Sequence, residues 1–305
     1  MRRGCRAIGA AVVCAALLAP PAAARAAACC LSTSSFGAGR LAVWEEAAAG
    51  ASVSLSTAPG RYDADGAFRA HEGYVEREAR LTAFALLRLT RSLEAGARFP
   101  WVAGHRAAAG VEEDGHGPGD LALSLRWQAI DLGAWEELPG VALTLGANLP
   151  TGRSTAESDA ALGADVTGRG YGVLSAGVSV ERADGPWYVR LDAAALLPLA
   201  HEVQGRRWRA RPGAELQLGG GVDLGAGVVV SLAPRLRWES DAIREGERVP
   251  GSSTLEIGLG PAASWAITPH WTLQAAFDTG LPMDGLGRNR PLFTAATVGI
   301  RRGIF

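Results

Sequence analysis

The chain has 305 residues, 48% of them hydrophobic, and its 30 basic and 31 acidic side chains leave a formal net charge of −1. Arginine supplies every basic residue, and so even a balance carries none of the electrostatic footprint of a nucleic-acid partner. Forty glycines with two methionines and 7% aromatics, spread along the whole length, exclude a packed helical bundle and suit many short strands and turns.

Residues 1–28 read as a cleaved secretory leader. MRRGCR is a basic start, Ala7 to Ala19 is an apolar run too short to span a bilayer, and PPAAARAAA supplies small residues for cleavage after Ala28, or after Ala24 upstream. Loss of Arg2, Arg3, Arg6 and Arg25 with the leader takes the net charge to about −5. Cys29 and Cys30 remain. Two neighbouring cysteines cannot staple a fold of this size. Lipidation of Cys29 stays open, although Ala26 stands where a lipobox has a larger aliphatic residue. With no histidine close by in sequence, no metal site is expected, and no cofactor is expected either. Residues 29–45 form an N-terminal periplasmic segment, and for Phe36 to Gly50 three arrangements stay open: plugging a lumen, capping its lower end, or crossing the periplasm.

Residues 46–305 are predicted to form a transmembrane antiparallel β-barrel of about 12 strands, an all-β fold. Alternating segments recur near 46–56, 77–89, 93–102, 120–129, 141–149, 171–181, 187–197, 209–218, 224–238, 254–265, 271–281 and 292–305. None shows the spacing of a long amphipathic helix, and after the leader no apolar run reaches the ~18 residues of a helical span. The connections alternate in length. Long ones cover 57–76, 103–119, 150–170, 198–208, 239–253 and 282–291. Short ones fall at Thr90–Ser92, 130–140, Ala183–Pro186, Gly219–Asp223 and Ile267–His270. That rhythm is the layout of an outer-membrane barrel, with loops outside and turns in the periplasm.

The segment GVALTLGANLPTG, Gly140 to Gly152, shows the problem each strand poses. Val141, Leu143, Leu145 and Leu149 alternate with Ala142, Thr144, Gly146 and Asn148, so one side is greasy. With no helices to cover that side, it faces lipid, and backbone groups in lipid must all pair within the protein, which forces closure. Tryptophan agrees. Trp127, Trp187, Trp265 and Trp271 fall at periplasmic strand ends and Trp101, Trp208 and Trp238 at external ends, two girdles of the kind found at bilayer interfaces. Trp44 precedes the first strand and Trp135 lies in a turn.

The opposite parity carries Arg98, Arg126, Arg190, Arg211, Arg235 and Arg237, interleaved with Asp192, Glu215, Glu256 and Asp278, as candidate lumen-lining residues. In a narrow barrel these pair across the interior, or else they line a selective, slightly cation-repelling channel; both readings stand. Asp120 and Thr151, at strand rims, read as turn and loop anchors. His71, His105, His116 and His201 fall in outer loops and His270 in a periplasmic turn, so no histidine sits on a strand beside a serine and no enzyme is expected. Phe305 is a terminal aromatic of the kind read by barrel-assembly machinery. The alternation before it is imperfect, because Val298, Ile300 and Ile304 lie on the parity opposite to Phe305 while Arg301 shares it.

From Gly119 onward the chain resembles a family of Gram-negative outer-membrane transporters, the MetA-pathway-of-phenol-degradation family, distantly similar to barrels that pass hydrophobic compounds. GPGDLALSLRW (Gly117 to Trp127) followed by LTLGANLPTG (Leu143 to Gly152) carries the resemblance, and FGAGRLAVWEEAAAG (Phe36 to Gly50) resembles deltaproteobacterial members. The resemblance implies a porin-like channel or transporter for passive passage of small hydrophobic or aromatic solutes. Its partners would be outer-membrane lipid, the assembly machinery and a solute of unspecified structure, with no catalytic residue. The alternatives are a structural or adhesive barrel without transport, an outer-membrane enzyme, and a soluble β-sandwich.

Overall fold

The computed structural model describes residues 39–133, 138–203, 206–209 and 211–305, with 202–203 and 206–209 described by backbone alone. The leader, Cys29, Cys30 and Trp135 lie outside these residues, as does the side chain of Trp208. Alternating sequence becomes twelve long strands: β1 (Ala47–Tyr62), β2 (Tyr74–Arg88), β3 (Leu93–Ala108), β4 (Leu121–Ile130), β5 (Gly140–Leu149), β6 (Val173–Asp184), β7 (Trp187–Pro198), β8 (Gly213–Gly225), β9 (Val228–Glu239), β10 (Thr254–Ala266), β11 (Trp271–Gly280) and β12 (Pro291–Ile304). Each pairs antiparallel with its sequence neighbours, and β12 returns to β1 from Ala47↔Ile304 to Arg61↔Pro291. The sheet is therefore a closed barrel with no free edge.

Period-two alternation decides which way each side chain points. On β5, Leu143, Leu145 and Leu149 are exposed on the outer wall while Ala142 is buried. On β9, Leu232, Leu236 and Trp238 face out, and Val229 is buried within. A wall this greasy, with every strand's backbone paired, is the surface a bilayer covers. The register of β12 also resolves. Val298, Ile300 and Ile304 lie on the exposed parity and Arg301 turns inward, buried. Phe305 lies beyond the last paired residue, so it never belonged to the strand's alternation; its ring sits 4.7 Å from that of His270.

The lower connections are tight, and two of them share one device. The Thr90 hydroxyl accepts from the amides of Ser92 and Leu93 at 3.4 and 3.1 Å. Thr268 does the same for His270 and Trp271 at 3.3 and 3.1 Å. The turn expected at Gly219–Asp223 is corrected. β8 runs on through those glycines, and the chain reverses at Gly225-Ala226-Gly227, where φ is 83°, 50° and 76°. The upstream glycines serve space instead: a Cβ on Gly221 would lie 2.4 Å from the Tyr188 ring that covers it.

Outside the membrane the barrel is taller than its sequence rhythm suggested. The expected loop 103–119 is mostly sheet, because β3 continues to Ala108 and Val111–Pro118 folds back on its upper half, with β4 on its lower half. Asp120 sits where these meet. It accepts from Gly152 N at 3.1 Å and Arg169 N at 2.8 Å, and so clamps both ends of the outer loop between β5 and β6. Thr151 ties the same corner, donating to Gly119 O at 2.8 Å and accepting from Leu121 N at 2.9 Å. Both residues are the loop anchors their positions implied. Backbone pairs among Ala200–Val203, Arg206–Arg209, Ile243–Arg244 and Glu247–Arg248 add a small external sheet.

Candidate functional site

The interior of the barrel is the candidate site, and its charges sort by height. At the lower end residues 40–45 lie across the lumen ahead of β1. Arg40 reaches Glu181 on β6 at 2.9 Å, Leu41 N reaches Glu94 on β3 at 3.2 Å, and Glu45 receives Arg301 of β12 at 2.6 Å. Arg88 on β2 holds the segment's backbone, donating to Glu45 O at 2.8 Å and Ala42 O at 2.6 Å. Leu41 packs with Ala48 and Leu86 in a small buried cluster. The segment thus touches four strands around the ring.

Above it the predicted side chains point inward and meet in pairs. Arg126 lies 3.8 Å from Glu94, which also faces Arg88 at 3.6 Å. Arg190 and Asp192, two apart on β7, pair at 2.8 Å, and Asp192 also accepts from Ser179 at 2.6 Å. Arg98 on β3 lies in the field of Arg80 and of Glu215 from β8. Glu215 is buried, with one carboxylate oxygen lacking a hydrogen-bond partner in the described structure. Arg235 bridges Glu256, at 2.8 Å, and Asp278. Internal pairing therefore describes most of these residues, as continuous cross-strand networks and not isolated contacts.

The outer mouth is different. Arg237 pairs with Glu239 at 2.8 Å, and Arg211 and Arg290 each approach the same carboxylate at 3.9 Å. Arg169, from the loop between β5 and β6, adds a fourth positive field on Glu239. Arg290 also reaches Glu256 at 2.7 Å. Burial within the mouth, then the neighbouring Arg237, pushes the Arg169 guanidinium below its usual range. Beside it Tyr171 stacks on His201 with ring centroids 4.8 Å apart.

Six of the seven tryptophans expected in girdles have described side chains, and these six are exposed. Trp127, Trp187, Trp265 and Trp271 are exposed at lower strand ends, and Trp101 and Trp238 at the upper level. The Arg302 guanidinium lies 5.7 Å over Trp271, a cation–π contact. Sequence reasoning missed Glu45, Glu94, Glu181, Arg88 and Arg301 below, and Arg169, Glu239 and Arg290 above. Strand parity contained Glu94, Glu181 and Arg301, whereas Glu239 fell in the expected loop 239–253 and joins β9 only in the structure. Arg40, Glu45, Arg169 and Arg290 lie in connecting segments, where no periodicity points anywhere.

No family model and no curated protein matches the chain. Among solved structures it is similar to an outer-membrane channel from Pseudomonas putida F1, at 16% identity, covering 90% of this chain and 100% of that one with a TM-score of 0.69. It is also similar to the NanC porin, at 9% identity over 83% and 98% of the two chains with a TM-score of 0.48. The CymD monoaromatic hydrocarbon channel matches at 12% identity over 85% and 88%, with a TM-score of 0.44. The first of these likenesses establishes a shared fold, the closed twelve-stranded antiparallel barrel described above.

Proposed function

We propose that this chain is a passive outer-membrane channel for small solutes, hydrophobic or aromatic in class, whose lower end is closed by its own N-terminal segment. The observation that carries this is the division of the barrel: an apolar wall outside, and inside a column of charged side chains that opens at the outer mouth. Such an interior suits passage, where solutes meet fixed charges and displaceable water. The resemblance of Gly117–Trp127 and Leu143–Gly152 to transporters of hydrophobic compounds supports the solute class. The protein acts without catalysis, and its surroundings are outer-membrane lipid and the machinery that inserts it, with Phe305 as the terminal aromatic such machinery reads.

The test is single-channel recording of refolded protein in planar bilayers, once gel mobility is seen to change on heating, together with phenol entry into loaded vesicles. Discrete conductance steps and phenol uptake above that of empty vesicles are expected. Heat-modifiable protein that neither conducts nor admits phenol would overturn the channel in favour of a structural or adhesive barrel.

A further inference from the structure

We infer that the outer mouth is an anion-selecting vestibule that takes small organic carboxylates. This rests on the channel reading and adds to it a class of solute and the side chains that choose it.

Three guanidiniums, those of Arg211, Arg237 and Arg290, lie within 4 Å of the single carboxylate of Glu239, and Arg169 adds its field to them. The nearest further carboxylate, Glu256, is already shared between Arg290 at 2.7 Å and Arg235 at 2.8 Å. Asp278 is taken by Arg235, and Asp120 spends its two oxygens on backbone amides. With Asp120 keeping its charge, five guanidiniums, Arg235 included, still face the four carboxylates of Glu239, Glu256, Asp278 and Asp120, and positive charge is in excess by one. A cation approaching this ring meets net repulsion, while an anion supplies the missing partner.

Arg169 is the side chain poised to meet it. Its guanidinium makes no hydrogen bond or ion pair within the described residues, and the residue is exposed. A carboxylate offers two coplanar oxygens, the geometry a guanidinium fork grips with paired hydrogen bonds. Arg211, only 3.9 Å from Glu239 and 30% exposed, is loosely enough held to turn toward the same ligand. The body of the ligand has a surface of its own. Tyr171, in the field of Arg169, forms with His201 a flat stacked pair, and the buried His201 Nδ1 has no hydrogen-bond partner in the structure. Guanidiniums beside an aromatic plate suit a carboxylate that carries a flat apolar group.

The experiment compares sodium benzoate with uncharged benzyl alcohol, by calorimetric titration into the refolded, heat-modifiable protein and by reversal potential in a potassium benzoate gradient. Wild-type protein is expected to bind benzoate in preference to the alcohol, and Arg169→Gln and Arg211→Gln each to weaken benzoate binding about tenfold, the loss of one charge-assisted contact. Arg77→Gln, on the outer wall, should leave it unchanged. Equal binding of both compounds, or benzoate binding unmoved in both mouth variants, would overturn the vestibule. The two readings separate cleanly. A barrel that conducts without anion preference loses the vestibule and keeps the channel, whereas a silent barrel that still binds benzoate through Arg169 does the reverse.

Discussion

The two ends of the lumen hold the same residue types and use them oppositely. At the lower end Arg301 and Glu45 are each only 5% exposed, and Arg88, Arg40 and Arg126 are nearly as dry at 12%, 11% and 13%. Each of these guanidiniums meets a carboxylate, and those of Arg88 and Arg301 also bond carbonyls of the N-terminal segment. At the mouth three guanidiniums lie within 4 Å of Glu239, Arg169 adds its field to them, and Arg211 stays 30% exposed. The lesson is that arginine locks an end where each guanidinium meets a carboxylate in a dry setting, and prepares it for a ligand where several crowd one carboxylate in reach of water.

The sharpest way to break that comparison is Glu45→Ala. It removes the carboxylate that faces the buried Arg301 guanidinium, a loss of about 3–5 kcal/mol to the lower end. The segment over 39–46 should then leave the lumen, raising unit conductance and exposing Arg40 to trypsin. Removing a mouth partner is the counterpart: Arg211→Gln should cost under about 1 kcal/mol, because its pair is half-open and long. Equal losses from the two substitutions, measured by urea unfolding in vesicles, would mean that the ends do not differ as described.

The comparison presumes lipid between the two ends. Leu145, 61% exposed at mid-strand, is the place to test it. Leu145→Arg should destabilise the barrel by about 2–4 kcal/mol in the same unfolding assay, while an exposed loop substitution, Thr155→Arg, should not register. A silent Leu145→Arg would argue that water, not hydrocarbon, covers this wall.

The smallest effect concerns the loop that carries Arg169. The Ser158 hydroxyl, and then Arg153 at 2.7 Å, hold the Asp165 carboxyl well below the usual carboxylate range. A depressed carboxylate contributes its stability above the ordinary value near pH 4 and loses it only as the pH falls through the folded one. Pepsin cleavage within 150–170 should therefore stay slow at pH 4 and quicken toward pH 2. In Asp165→Asn it should already be fast at pH 4.

How much of this was legible beforehand follows from the range of each force. Inward and outward faces are a local property of an extended chain, so the outward placement of Leu143, Leu145 and Trp238 and the inward placement of Arg126 and Asp192 could be read from alternation alone. The even strand count and the long-short rhythm of connections were equally visible. Glycine was read less well, because the same residue serves a positive φ at Gly225 and a close approach at Gly221, and only the packed Tyr188 ring separates the two. The Asp120 and Thr151 anchors were inferred from rim positions, although their partners 32 to 49 residues away were not.

Amino-acid sequence by itself therefore determined that this chain closes into a barrel with a greasy outside and a charged inside, since neighbours two apart are enough to state that. Tertiary structure alone decided which charges meet. Arg301 finds Glu45 across 256 residues, and Arg290 finds Glu256 from a separate loop. Closure and strand tilt bring distant positions to one height, and no local pattern carries that information.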